Sequence, residues 1–165
     1  MKIRSITLLA MCLFLVTAIY AAAPKADFTG TWVMDSAKSE GVPEGMEQTM
    51  TVKQTGDKID QETKVMQEQG DQTVSSVYML DGKEVEYPVK RQIGEGKGKR
   101  IAKWAADGNG FEVSEEETVE TPNGAVVLKF ARKWVMAPDA KSLTIDLDVT
   151  SPNGPIHTKR IFVKK

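Results

Sequence analysis

Asp27-Phe28-Thr29-Gly30-Thr31-Trp32 is the stretch on which the fold turns. Phe28 and Trp32 stand four residues apart, so in an extended strand both rings point to one face, with Gly30 between them on that face. A glycine there lets a neighbouring group come close to the backbone. Two rings flanking a bare position suit a first strand that plugs one end of a small antiparallel barrel. Taken alone, Gly-x-Trp also fits an ordinary half-buried strand. The residues that follow decide between the two.

From Thr29 onward the chain reads as short strands, with no helix of any length. Segments 49–55, 58–66, 72–80, 84–89, 99–106, 110–120, 124–136, 142–150 and 156–164 join the first strand to make about ten. They are separated by turn residues: Gly56-Asp57, Asp81-Gly82, Asp107-Gly108-Asn109-Gly110, Pro122-Asn123-Gly124, Pro138-Asp139 and Pro152-Asn153-Gly154-Pro155. Asn-Gly and Asp-Gly accept positive φ readily, as tight hairpins require. Consecutive hairpins make neighbouring antiparallel strands, hence a meander that can close on itself. The fold class expected is all-β, an up-and-down antiparallel barrel of about eight to ten strands. Two connections look long enough for a mouth or lid: 35–47, and 88–98 with its Gly94-x-Gly96-x-Gly98.

Alternation assigns the faces. Leu143, Ile145, Leu147 and Val149 oppose Thr144, Asp146, Asp148 and Thr150; Val126, Leu128, Phe130, Arg132 and Trp134 oppose Val127, Lys129, Ala131, Lys133 and Val135. The same pattern turns Gln61, Thr63, Glu115, Glu117 and Arg132 inward, among apolar neighbours. Buried charge is costly unless paired or solvated. These positions therefore mark either a wet cavity or an open end. Gln61, Thr63, Glu115, Phe130 and Arg132 are the candidate ligand-binding residues. Counting from the turn at Pro122-Asn123-Gly124 sets Arg132 roughly opposite residues 114–116, with Glu115 as its partner.

Composition bounds the function. Of 165 residues, 41% are hydrophobic and 27% charged, as in a globular domain with its own core. Met1-Lys2-Ile3-Arg4, the apolar run from Ile6 to Tyr20, and Ala21-Ala22-Ala23 have the layout of a secretory signal peptide. The expected organisation is a signal over 1–23 and a barrel domain over 24–165. The product would be periplasmic or secreted, without an integral membrane span. Losing Lys2 and Arg4 leaves 20 basic against 23 acidic side chains, a balance that argues against a nucleic-acid partner. The one cysteine, Cys12, goes with the signal, so the mature chain relies on its core rather than on disulfides.

Catalytic and metal-binding constellations are absent from the sequence. His157 is the single histidine and makes neither a triad nor a metal site. Glu115 and Glu117 share a face and could form a carboxylate pair; a solvated or lysine-paired acidic strand accounts for them more simply. Gly94-Glu95-Gly96-Lys97-Gly98-Lys99 precedes no helix, so it is no phosphate loop and reads as a flexible hairpin connection. No enzyme, cofactor or metal is expected.

Phe28-Thr29-Gly30-Thr31-Trp32, the following Lys38-Ser39, the ten-strand meander and the ending Lys159-Arg160-Ile161-Phe162 resemble the calycin superfamily of lipocalins and fatty-acid-binding proteins. The chain is most similar in pattern to the small exported lipocalin-like proteins of bacteria. The resemblance implies a central cavity for small apolar molecules, a Trp at the closed end (Trp32), and an Arg of the last strand packed over it (Arg160), with Gly30 completing the closure. It also implies that a carboxylate can be held by Arg-x-Tyr on the last strand, which Arg160-x-Phe162 matches in part. The Thr-Asp-Tyr motif of typical lipocalins is absent, and 35–47 is too short for a two-helix lid. The function expected is a monomeric, exported barrel holding a small apolar or amphipathic molecule. The alternative is a structural, interaction or inhibitor module of the cell envelope that acts through its loops, its barrel filled by side chains.

Overall fold

Ten strands follow one another: β1 (Gly30–Met34), β2 (Glu47–Thr55), β3 (Lys58–Met66), β4 (Gln72–Met79), β5 (Asp81–Arg91), β6 (Gly94–Trp104), β7 (Gly110–Thr121), β8 (Gly124–Met136), β9 (Ser142–Ser151) and β10 (Gly154–Lys164). This computed structural model describes residues 24–67 and 70–165, so the signal expected over 1–23 lies outside the described residues. The strands form one sheet in the order β4-β3-β2-β1-β10-β9-β8-β7-β6-β5. Each neighbouring pair is antiparallel, and β1 meets β10 through Trp32 and Lys164. Gly56, Gly82, Gly124 and Gly154 take positive φ at the hairpin turns, the conformation that turn chemistry demanded. The all-β barrel is therefore present, nearly but not fully closed. β4 and β5 are joined by the single residue Leu80 and then diverge without forming a ladder.

One end is sealed by rings. Phe28 and Trp32 are both fully buried, and the Trp32 indole donates from Nε1 to the Phe28 carbonyl at 2.9 Å. Gln54 of β2 holds this plug twice, accepting from the Phe28 amide at 3.0 Å and donating to the Ala26 carbonyl at 3.2 Å. Phe28 meets Phe111 edge-on at 5.1 Å, and Phe111 stacks on Trp134 at 4.8 Å. Rings of this kind bury about 150–250 Å² each, so they dominate the packing of the closed half.

Two expectations are corrected. Arg160 does not cover Trp32; Lys164 does, with its Nζ 5.2 Å from the ring. The register explains this, since Trp32 pairs with Lys164 and leaves Arg160 four residues further toward the open end. Gly30 serves the same contact, because a Cβ there would lie 2.6 Å from Lys164 Cε. Nor is 88–98 a flexible connection. The β5–β6 ladder runs unbroken from Tyr87 opposite Gly98 to Arg91 opposite Gly94, leaving only Gln92 and Ile93 in the turn. Its glycines answer close approach: a Cβ on Gly98 would strike the Tyr87 ring at 2.5 Å, and one on Gly96 the Thr118 carbonyl oxygen at 1.9 Å.

Among the described residues, the connection from Asp35 to Met46 remains a long loop. It is tied along β10: Glu40 and Lys159 exchange backbone bonds at 2.7 and 3.0 Å, and Ser39 Oγ accepts from the Ile161 amide at 3.0 Å.

Candidate functional site

β7 decides the character of the interior. Its buried face reads Phe111, Val113, Glu115, Glu117, Val119, so aromatic packing gives way to charge halfway up the barrel. The Glu115 and Glu117 side chains are only 3% and 5% exposed. Their ion-pair partners are arginines rather than lysines, and both carboxylates are buried, which corrects the expectation of a solvated or lysine-paired strand. Arg91 of β5 clasps Glu117 with both Nε (2.9 Å) and Nη2 (2.8 Å), a bidentate fork. Arg100 of β6 donates Nε to Glu115 Oε1 at 2.5 Å. Arg132 of β8 donates Nη1 to the other Glu115 oxygen. Strand register makes that contact diagonal: Arg132 lies opposite Val113, and Glu115 opposite Phe130.

Aromatic surfaces complete the cluster. The Tyr87 hydroxyl donates to Glu117 at 3.0 Å and to Glu115 at 3.3 Å. Burial first, then the Glu117 charge, pushes its pKa up to about 12. Phe130 lies between two guanidiniums, Arg132 at 5.2 Å and Arg91 at 5.3 Å from its ring centre. Lost hydration lowers the Arg132 pKa, yet a guanidinium stays charged and so needs its carboxylate. A cleft of about 240 Å³ opens onto this group between Ser76, Val89, Arg91 and Glu117.

Arg160 stands apart. It faces the same interior from β10, and burial followed by the charge of Arg132 holds its pKa below the ordinary guanidinium value. Among the described residues it has no ion-pair partner. Its Nη1 reaches Gln48 Oε1 at a long 3.4 Å, and its Nε is buried without a partner. Gln61 and Thr63 line the opposite wall on β3, joined to each other by a 2.6 Å bond, with Gln61 Oε1 buried and unpartnered. Thr158 Oγ1, on the same strand as Arg160, is a third such atom. Among the described residues, Arg100, Arg132 and Arg160 share this layer with the two buried carboxylates, while Arg91 reaches Glu117 from the rim with 40% of its side chain exposed.

Of the residues singled out from sequence, Glu115, Phe130 and Arg132 come together in one cluster. Gln61 and Thr63 face it across the barrel, Gly30 and Trp32 belong to the closed end, and Arg160 moves from the closure to the polar layer. Arg91, Arg100, Tyr87 and Gln48 were not anticipated. Tyr87, Val89 and Arg91 share a face by alternation, as do Gly98, Arg100, Ala102 and Trp104, so reading 94–98 as strand would have exposed them. A larger depression of about 540 Å³ lies on the outer face of β6–β9, floored by Ile101, Ser114 and Ala131. On its rim Lys99 pairs with Glu84 and Lys129 with Glu116, and Asp148 contacts His157.

No family model matches the chain, and no curated protein sequence matches it. Among solved structures it is similar to zebrafish ileal bile acid-binding protein complexed with cholic acid, at a TM-score of 0.50 and 18% identity, over 84% of this chain and 98% of that one. It also matches a secretory abundant heat soluble protein of Ramazzottius varieornatus, at a TM-score of 0.48 and 13% identity, over 84% of this chain and 95% of that one. The likeness is one of fold, an antiparallel β-barrel.

Proposed function

We propose that the protein is an exported, monomeric, non-enzymatic carrier that binds a small amphipathic anion in the upper half of its barrel, with the acidic head on Arg160. The observation that carries this reading is the buried Arg160 guanidinium, which has one long contact, a bare Nε and no carboxylate partner. A buried cation of this kind calls for an anion. Thr158 and Gln61 supply further unfilled hydrogen-bonding capacity, while Phe130, Leu147 and Val149 offer apolar surface beside it. Arg132, Arg100 and Arg91 already have carboxylates and hold the scaffold. Export rests on the basic start, the apolar run and the small residues before Pro24.

The test is a titration of the mature chain, stripped of lipid, with a fluorescent fatty-acid analogue and with cholate as competitor. Binding that weakens tenfold or more in Arg160→Met, while the variant stays folded, supports the reading. Undiminished binding in Arg160→Met removes the anchor. A second reading, an interaction module, is favoured by the rings that fill the lower half. Absence of any bound small molecule by native mass spectrometry, together with no response to either probe, would support it instead.

A further inference from the structure

The seam, the gap between β4 and β5 beyond their corner at Leu80, has two unlike edges. β5 is protected in the way exposed edges of soluble proteins are: it carries Lys83, Pro88 and Lys90, and its register shifts between Asp81 and Glu84. β4 has none of these devices. Its sequence over Gln72–Met79 holds no charge, proline or glycine and is rich in strand-forming residues.

Arg100 shows which groups of β4 meet the seam, since it donates Nη1 to the Val77 carbonyl at 2.8 Å. A strand residue turns its amide and its carbonyl to one side, and alternate residues share that side. Thr73 and Ser75 therefore present both groups to the seam, where no ladder receives them. The Arg100 guanidinium also lies 4.8 Å from the Tyr78 ring and 4.4 Å from the Tyr87 ring, filling the seam toward the closed end. The edge left bare is 72–76.

Beside that edge lies the cleft of about 240 Å³, bounded by residues 74–76 of β4 and 87–91 of β5. Its charge is unbalanced. Arg91, Arg100 and Arg132 line it with Glu115 and Glu117, three guanidiniums to two carboxylates, while Lys90 at its lip pairs with Glu95 at 3.3 Å. Arg91 engages Glu117 through Nε and Nη2. Its Nη1 has no protein partner among the described residues, on a side chain 40% exposed.

We infer that the 72–76 edge of β4 takes an extended acidic peptide as an added strand. The bare edge calls for an occupant with backbone amides and carbonyls of its own, and the surplus guanidinium calls for a carboxylate. In antiparallel addition the peptide residue opposite Ser75 exchanges two backbone bonds with it. Its two neighbours, opposite Val74 and Ser76, turn inward to the cleft that Arg91 lines. Acidic side chains belong at those two positions. The site is separate from Arg160, which stands on β10 and does not line this cleft.

The test titrates the mature chain with a blocked, fluorescently labelled pentapeptide, Val-Glu-Thr-Glu-Val, followed by anisotropy. Two controls keep its length: one has lysine for both glutamates, and one is methylated on the threonine nitrogen, which then cannot donate to β4. Each control should bind about tenfold more weakly than the acidic peptide. Ser75→Pro removes the seam-facing amide without touching the β3 ladder and should weaken the acidic peptide by about tenfold as well. Should that variant fold poorly, the methylated peptide makes the same test on the unaltered protein. Arg160→Met should leave the acidic peptide's affinity unchanged. Equal binding of the methylated and unmethylated peptides would make the cleft a site for a carboxylate alone and overturn the added strand. A tenfold loss in Arg160→Met would put the acid on the head anchor and overturn it too. So would failure of the acidic peptide to bind, or a dimer that forms with rising concentration and vanishes in Ser75→Pro, which would give the edge to a second copy.

Discussion

At the scale of single residues, the interior charges divide into those that are satisfied and the one that is not. Glu115 accepts from Arg100, Arg132 and Tyr87, so removing Arg132 leaves it two partners. Breaking a buried pair outright costs about 3–5 kcal/mol. Arg132→Met should therefore fall at or below the low end of that range in a urea titration. Arg160→Met removes a cation with no carboxylate partner and should cost no stability; a loss as large as that of Arg132→Met would mean that Arg160 is a structural group after all. Tyr87 makes a separate pH prediction. Its folded pKa of about 12 lies above the ordinary value of 10.0, so the neutral phenol is the form the fold favours. Above pH 10 the unfolded chain gives up this proton first. Stability is then complete below pH 10 and falls as pH rises toward 12. Tyr87→Phe should flatten that decline in midpoints measured from pH 9 to 12; an unchanged slope would show that Tyr87 does not drive it.

Among the elements, β4 is the exposed one. The Val77 carbonyl points into the seam toward Arg100, whereas the Leu80 amide bonds back to Asp57 at 2.8 Å on the β3 side. Alternation then turns the amides of Thr73, Ser75 and Val77 into the seam, where no ladder receives them. They should exchange with deuterium much faster than those of Val74 and Ser76, which face β3; uniform protection along β4 would mean that the seam closes in solution. The seam was not legible in the sequence, because β4 and β5 read as an ordinary hairpin pair around Asp81-Gly82. Whether consecutive strands stay paired depends on the corner at Leu80 and on neighbours far along the chain. Gly94-x-Gly96-x-Gly98 misled for a related reason. A glycine looks alike in sequence whether it makes a turn or yields to a tyrosine ring and a backbone carbonyl. Alternation in β7 and β8, by contrast, was readable directly, since period-two patterning over a dozen residues leaves one register consistent with a buried face. That is why Glu115, Phe130 and Arg132 could be grouped beforehand while their partners from β5 and β6 could not.

Taken whole, the molecule is a barrel of two unlike halves, and this separates what holds it together from what it can bind. Trp32, Trp134, Phe28, Phe111 and Phe162 are buried to within 2% in the closed half, and Trp104 packs against them. The upper half instead holds the arginine–glutamate layer, three of the buried unpartnered polar atoms (Gln61 Oε1, Thr158 Oγ1 and Arg160 Nε) and the opening onto the seam, while the fourth, Trp134 Nε1, lies among the rings. Cohesion should therefore follow the rings. Losing a buried Trp or Phe to alanine costs about 3–5 kcal/mol, because transfer free energy and a residual cavity add. Trp32→Ala also deprives the Phe28 carbonyl of its indole donor, so its cost belongs toward the upper end. Lys164→Ala removes only an exposed cation over the same ring, worth about 0.5–1 kcal/mol. A urea titration followed by far-ultraviolet dichroism, which does not depend on the tryptophan signal, should place Trp32→Ala far below the parent midpoint and Lys164→Ala only slightly below it. Equal midpoints for Trp32→Ala and the parent would mean that the plug is dispensable, and that the remaining rings seal the closed end without it.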